Sequence, residues 1–124
     1  MSASEIKSKN IKEALSFGPA LIVNGKSAKI RGTGGSGMNP RTVIAQRKDG
    51  VTMFLAVDGE NYINGATLKD VVNTLKKYGA YNAANLDGGT SGTMVENGKL
   101  INNPPSSARK TNGRYVVTGW GLIP

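Results

Sequence analysis

Three dipeptides, Asn24-Gly25, Asp49-Gly50 and Asn97-Gly98, each stand between stretches rich in apolar residues. Such a pair is the strongest short-range signal for a two-residue β-hairpin, because the matching turn needs left-handed backbone at both central positions. Three of them dictate a sheet assembled from hairpins. Their flanks differ, so they are not an internal repeat. PALIVNGKSAKI reads as strand, turn and strand, RTVIAQRKDGVTMFLAVDG as a second hairpin and TMVENGKLIN as a third. VTMFLAV is almost wholly apolar, which predicts a strand buried on both faces. AANL, 83–86, predicts a short buried strand, and RYVVTGWGLI the last strand.

One helix is clearly written between them, in TLKDVVNTLKKYG. Thr67 is its N-cap and Asp70 follows three residues on, a capping box. Leu68, Val71, Val72, Leu75 and Tyr78 fall on one apolar face. Lys76 and Lys77 suit the negative C-terminal end, and Gly79 the left-handed stop. The expected span is about 67–78. A shorter N-terminal helix is expected from Asn10, with Glu13 at its third position and Gly18-Pro19 as its stop. RGTGGSGMNP, 31–40, reads as a mobile loop and NPPSSARKTNG as an exposed one. The fold class is therefore α+β: a mixed or antiparallel sheet of hairpins with one main helix and a short N-terminal one. The 124 residues form one domain with no boundary inside it.

Composition restricts the chemistry. The chain has no cysteine and no histidine. A disulfide framework, a thiol nucleophile, a zinc finger and a histidine-based triad are all excluded. No apolar run approaches the ~20 residues of a membrane span, and MSASEIKSKN lacks the apolar core of a signal peptide. The formal charge of +8 favours anionic partners or simply solubility. The basic residues do not line one helix, and no nucleic-acid reading motif is present, so nucleic acid is not the expected partner. Tyr62, Tyr78, Tyr81 and Trp120 are expected to pack rather than stack on bases.

Chemistry then falls to the carboxylates, of which there are eight. Glu5 and Glu13 lie on a polar N-terminal segment, Asp49 in a turn, Asp70 at a helix start and Glu96 beside a turn. Asp58, Glu60 and Asp87 remain. Asp58 closes the apolar VTMFLAVD before Gly59, and Asp87 closes AANLD before Gly88-Gly89. Two readings apply to each: an Asp that folds its own Asp-Gly turn, or a functional group held at the end of a rigid strand. Two matching strand-Asp-Gly elements point towards a shared cleft. After Asp87 the chain continues GGTSGT. Backbone N–H groups in such a turn can converge on an anion, glycine lets a ligand approach closely, and Thr90, Ser91 and Thr93 add hydroxyls. The GxxxxGK[ST] spacing of a P-loop is absent. Arg41 and Arg114, each opening a strand, can make bidentate contacts with phosphate or carboxylate, or stand as solvated strand ends.

NPRTVIAQRKDG, then MFLAVDG, then GATLKDVVNTLKKYGAYNAANLDGGTSGTMVENGKLIN, taken in that order, resemble the phosphodiester glycosidase family. The upstream GPALIVNGK fits the same pattern, and the resemblance runs from about Phe17 to the C-terminus. It implies hydrolysis of a sugar-1-phosphodiester of the N-acetylglucosamine type, in an extracytoplasmic, cell-envelope, exopolysaccharide or phage-associated setting. The residues themselves require no metal, since two scattered aspartates make a poor dedicated cage, and no cofactor is expected. The resemblance implies Asp58 and Asp87 as the catalytic pair. Carried over by position, it implies Arg41, Thr42, Asn85, Gly88, Gly89, Ser91, Thr93 and Arg114 as residues that bind the sugar phosphate.

The chain departs from the family's usual GGGSST at Thr90 and Gly92, and has Gly113 where a Glu usually precedes the late arginine. It corresponds to the C-terminal two thirds of a family domain, without the early Asn-Gly-aromatic strands. Sheet edges left open in this way are expected to pair, with the missing strands or with a second copy of the chain. The alternative implied by the short length is a non-catalytic module that binds an anionic sugar-phosphate polymer.

Overall fold

The structure, a computed structural model, describes residues 2–30, 37–60, 63–107, 114–116 and 118–122. Two of the three turns are what their dipeptides dictate. Asn24 and Gly25 have φ of 50° and 78°, and Asn97 and Gly98 have 49° and 74°, left-handed at both central positions. The first joins β1 (Ala20–Val23) to β2 (Lys26–Ser27), and the last joins β6 (Val95–Glu96) to β7 (Lys99–Leu100). The middle turn is one residue longer. The Arg47 N–H donates to Val51 O and the Gly50 N–H to Arg47 O, so Lys48, Asp49 and Gly50 form the loop with only Gly50 left-handed. Asp49 holds that loop as its position suggested: its carboxylate accepts from the Val51 N–H and pairs with Arg47 at 2.6 Å.

This middle turn joins β3 (Arg41–Arg47) to β4 (Thr52–Val57), and β5 (Ala80–Leu86) pairs with the other side of β3. The main sheet runs β2-β1-β5-β3-β4 with every described pair antiparallel. α2 (Leu68–Lys77) lies on one face, its Leu68, Val71, Val72 and Leu75 buried against Leu21, Ile22, Val43, Ala45, Ala80 and Ala83. This is the α+β arrangement expected. Tyr78 is the exception on the helix face: it is the C-cap residue and 70% exposed, because the helix ends there and the chain turns at Gly79 to begin β5.

Two expectations about strands change. β4 is not buried on both faces. It is an edge strand with β3 as its one neighbour among the described strands, and none of its residues is fully buried. Its apolar character reflects half-burial along its length rather than a central position. No strand forms over the described residues of the C-terminal RYVVTGWGLI, where Tyr115 and Leu122 are exposed.

The N-terminal helix exists but lies earlier than expected. α1 spans Ala3–Ser8 and starts at a capping box of Ser2 and Glu5. Asn10 ends it rather than starting another. Asn10 has φ 51°, its N–H donates to Lys7 O, and the Ile11 N–H reaches back to Ile6 O. That double bond pattern around a left-handed residue is the Schellman stop, usually filled by glycine and sometimes, as here, by asparagine.

At the start of α2, the Thr67 hydroxyl accepts from the Asp70 N–H while the Asp70 carboxylate accepts from the Thr67 hydroxyl and N–H. Those bonds, the side-chain one foremost, hold the Asp70 carboxyl below its usual range. A depressed carboxyl contributes stability above the unfolded pKa and loses it as pH falls through the folded one. Thr67→Ala removes the N-cap itself, and loss of such a cap lowers stability by about 1 kcal/mol at neutral pH. The gap from the wild type should narrow as pH drops below about 4, as measured by thermal melts across pH.

Candidate active site at the strand ends

β3 sets the site by its pairing. Arg41 lies opposite Val57 of β4, and Thr42 lies opposite Leu86 of β5. The next residues along those two neighbours are Asp58 and Asp87. The two carboxylates thus leave the sheet at the same end, on either side of the first residues of β3. Their strands are two spacings apart, about 10 Å.

Neither carboxylate folds its own turn. Asp87 is half-buried, and among the described residues no group bonds its side chain. Asp58 is exposed, and its Oδ1 accepts from Asn102 Nδ2 at 3.0 Å, 44 residues away. Asp49, which does fold its turn, shows what the other behaviour looks like. Glu60, the third acid left by the sequence, is a clamp. Its carboxylate accepts from the Ser106 N–H at 2.8 Å and the Ser106 hydroxyl at 3.1 Å. That fixes residues 104–107, where Pro104 and Pro105 are buried and Ser106 and Ser107 have helical backbone. The segment read as an exposed loop is, over its described residues, packed structure. The remainder, 108–113, lies outside the described residues, as do Tyr62 and residues 31–36 of the loop expected to be mobile.

The glycine run after Asp87 answers to protein backbone first. A Cβ on Gly88 would stand 2.6 Å from Pro40 O and 3.2 Å from Arg41 Cα. The Gly89 N–H donates to that same Pro40 carbonyl at 2.9 Å. Gly89–Ser91 then make one 3-10 turn, in which the Ser91 N–H bonds Gly88 O and the Gly92 N–H bonds Gly89 O. These three N–H groups are therefore committed within the fold. The side chains on the turn remain: Thr90 and Ser91 are half-buried and Thr93 is exposed. Arg114 comes to the same turn, with Nη1 3.5 Å from Thr90 Oγ1.

The other expected ligands are placed more deeply. Arg41 is 7% exposed, with Nε donating to Ala66 O at 2.9 Å and Nη2 to Gly37 O at 2.7 Å. It ties the segments around 37 and 66 to the start of β3. Burial lowers its pKa from the usual arginine value, yet an arginine stays cationic after such a shift. Asn85 shares the face of Val43 and donates from Nδ2 to Gly18 O at 3.0 Å. Thr42 lies beneath Gly92, whose Cβ position is 3.1 Å from Thr42 Oγ1. Asn85 Oδ1 and Thr42 Oγ1 are buried without a partner among the described residues.

Asn102 is the residue that sequence reasoning missed. Besides Asp58 it donates to Gly92 O at 2.9 Å and accepts from the Met94 N–H at 2.8 Å. An Asn before Asn-Pro-Pro carries no local sign of this, since all three contacts come from the fold. Among the described residues no three acidic groups gather in a way that could hold a metal ion, and no helix is long and apolar enough to cross a membrane.

The sequence profile of the phosphodiester glycosidase family matches residues 1–123. The SPbeta prophage-derived uncharacterized protein YomE of Bacillus subtilis is 34% identical over 100 residues, 77% of this chain and 16% of its own length. N-acetylglucosamine-1-phosphodiester alpha-N-acetylglucosaminidase of Bos taurus is 37% identical over 67 residues, 54% of this chain and 13% of its own. The solved catalytic domain of the zebrafish enzyme of that name, auto-inhibited by its pro-peptide, superimposes with a TM-score of 0.53 at 38% identity, over 56% of this chain and 22% of that one. A hypothetical protein from Synechocystis superimposes with a TM-score of 0.57 at 30% identity, over 71% and 18%. The chain spans less than a quarter of each of these proteins.

Proposed function

The chain belongs to the phosphodiester glycosidase family, and on that premise we propose that it hydrolyses a sugar-1-phosphodiester, with an N-acetylglucosamine-type sugar. The observation that carries this reading is that Asp58 and Asp87 stand at one end of the sheet and neither is spent on its own turn. In the reaction, water adds to the anomeric carbon, the bond from that carbon to the phosphate oxygen breaks, and a phosphomonoester leaves as an anion. The transition state is oxocarbenium-like, and two flanking carboxylates stabilise it and move the water's proton. Phosphate is a good leaving group, so the demand for a strong general acid is small.

Arg114, together with the hydroxyls of Thr90, Ser91 and Thr93, meets the phosphate, and Gly88 and Gly89 shape the turn that carries those side chains. Arg41 adds a fixed positive charge behind the strand ends, and Thr42 and Asn85 support the floor. The cell envelope, or an exopolysaccharide bearing phosphodiesters, is the setting we propose, in keeping with the prophage origin of one relative.

The test is release of free sugar from an N-acetylglucosamine-1-phosphodiester by the purified chain. Turnover supports the reading. A folded chain that releases nothing, yet binds the diester at salt concentrations that screen surface charge, would instead be a binding module.

A further inference from the structure

We propose that Asn102 is the positioning residue for Asp58, holding its carboxylate in one orientation with Oδ2 turned to the reacting sugar. The inference rests on the glycosidase reading of Asp58 and adds a role for a residue outside the carboxylate pair. The side-chain amide of Asn102 has its orientation settled by its neighbours. Its Oδ1 must face the Met94 N–H, which can only donate, and one Nδ2 hydrogen goes to Gly92 O, which can only accept. The second Nδ2 hydrogen is left with a single direction and meets Asp58 Oδ1 at 3.0 Å. The amide cannot flip without losing all three bonds.

Asp58 gains from this what its position denies it. The residue is exposed at a strand end, and among the described residues Asn102 is its one partner. An exposed Asp of this kind samples several rotamers. A donor on Oδ1 selects one of them and also assigns the two oxygens. Oδ1 is engaged by the amide, and Oδ2 is the oxygen left to act on water or the anomeric carbon.

The base that supports Asn102 is itself firm. The Ile101 N–H bonds Met94 O at 2.9 Å, closing the hairpin of β6 and β7, and four residues on from Asn102 the Glu60–Ser106 clamp holds the same segment. One segment is thus fastened twice to the chain leaving β4, once through Asp58 and once through Glu60. Only the first fastening touches a reacting group.

The experiment compares Asn102→Ala, Asn102→Asp and Ser106→Ala with wild type in sugar release from an N-acetylglucosamine-1-phosphodiester, alongside thermal melts. A second readout, independent of turnover, is the NMR signal of the Asn102 side-chain amide in wild type and in Asp58→Ala.

Asn102→Ala should lose about 10- to 100-fold in kcat with KM near its original value, the signature of a misoriented catalytic group. Asn102→Asp should lose more, since it sets a second carboxylate against Asp58. Ser106→Ala, which loosens the same segment through Glu60, should keep its turnover. In Asp58→Ala one of the two Asn102 amide protons should shift and the one bonded to Gly92 should not. Full kcat in Asn102→Ala, or an equal loss in Ser106→Ala, would overturn the proposal, as would amide protons indifferent to Asp58→Ala. A wild type that releases no sugar while its Asn102 amide still reports Asp58 would overturn the glycosidase reading but leave the contact standing.

Discussion

Asp87→Asn should abolish sugar release, by on the order of a thousandfold or more in kcat, while the protein melts close to the wild-type temperature. The two halves of that expectation come from one observation. The Asp87 carboxylate has no partner among the described residues, so its replacement by an amide of the same shape removes no contact. A substitution of that kind changes stability by about 0.5 kcal/mol at most. Its charge is what the reaction uses: a neutral amide can neither stabilise an oxocarbenium-like centre nor take a proton from water. Sugar release and melting temperature, measured on the same preparation, decide the matter. A folded Asp87→Asn protein with wild-type turnover would remove Asp87 from the mechanism.

Gly88→Ala should fail in the opposite manner, losing stability and activity together. The added methyl would meet Pro40 O at 2.6 Å, a contact with backbone that no side-chain rotation relieves. Overpacking of this kind costs about 1–3 kcal/mol, and a chain of this size loses roughly 3 °C or more of Tm per kcal/mol. The relief available is for the turn to lift off Pro40, which breaks the Gly89 N–H bond and carries Asp87 and Thr90 out of place. Gly18→Ala is the control, because a Cβ there meets nothing within 4 Å. Equal melting temperatures for the two variants would refute the packing argument.

The contrast between these glycines shows where the sequence was legible and where it was not. In NLDGGTSGTM many small residues follow one carboxylate. The reason expected for them was room for a ligand against the backbone. At Gly88 the space is taken by the start of β3, and the Gly89 N–H is bonded there too. The use of these glycines could not be read from the sequence, because Pro40 lies 48 positions earlier and only strand pairing brings it near. Asn10 is a local example of the same limit. An asparagine suits a helix start and a left-handed stop equally, and Ser2 with Glu5 formed the better start.

What the sequence determined by itself is short-range. Asn24-Gly25 and Asn97-Gly98 became left-handed turns because of their own φ and ψ preferences, and Thr67 with Asp70 started α2 through bonds within three residues. The two Asp-Gly strand ends were likewise visible as a matched pair. What only the tertiary structure decided is which side chains those ends meet. The order β2-β1-β5-β3-β4 set Asp58 and Asp87 on either side of β3, left β4 at the edge, and brought Asn102 to Asp58 and Ser106 to Glu60 across 44 and 46 residues. No local preference encodes such partners, since they exist only once the sheet has been assembled.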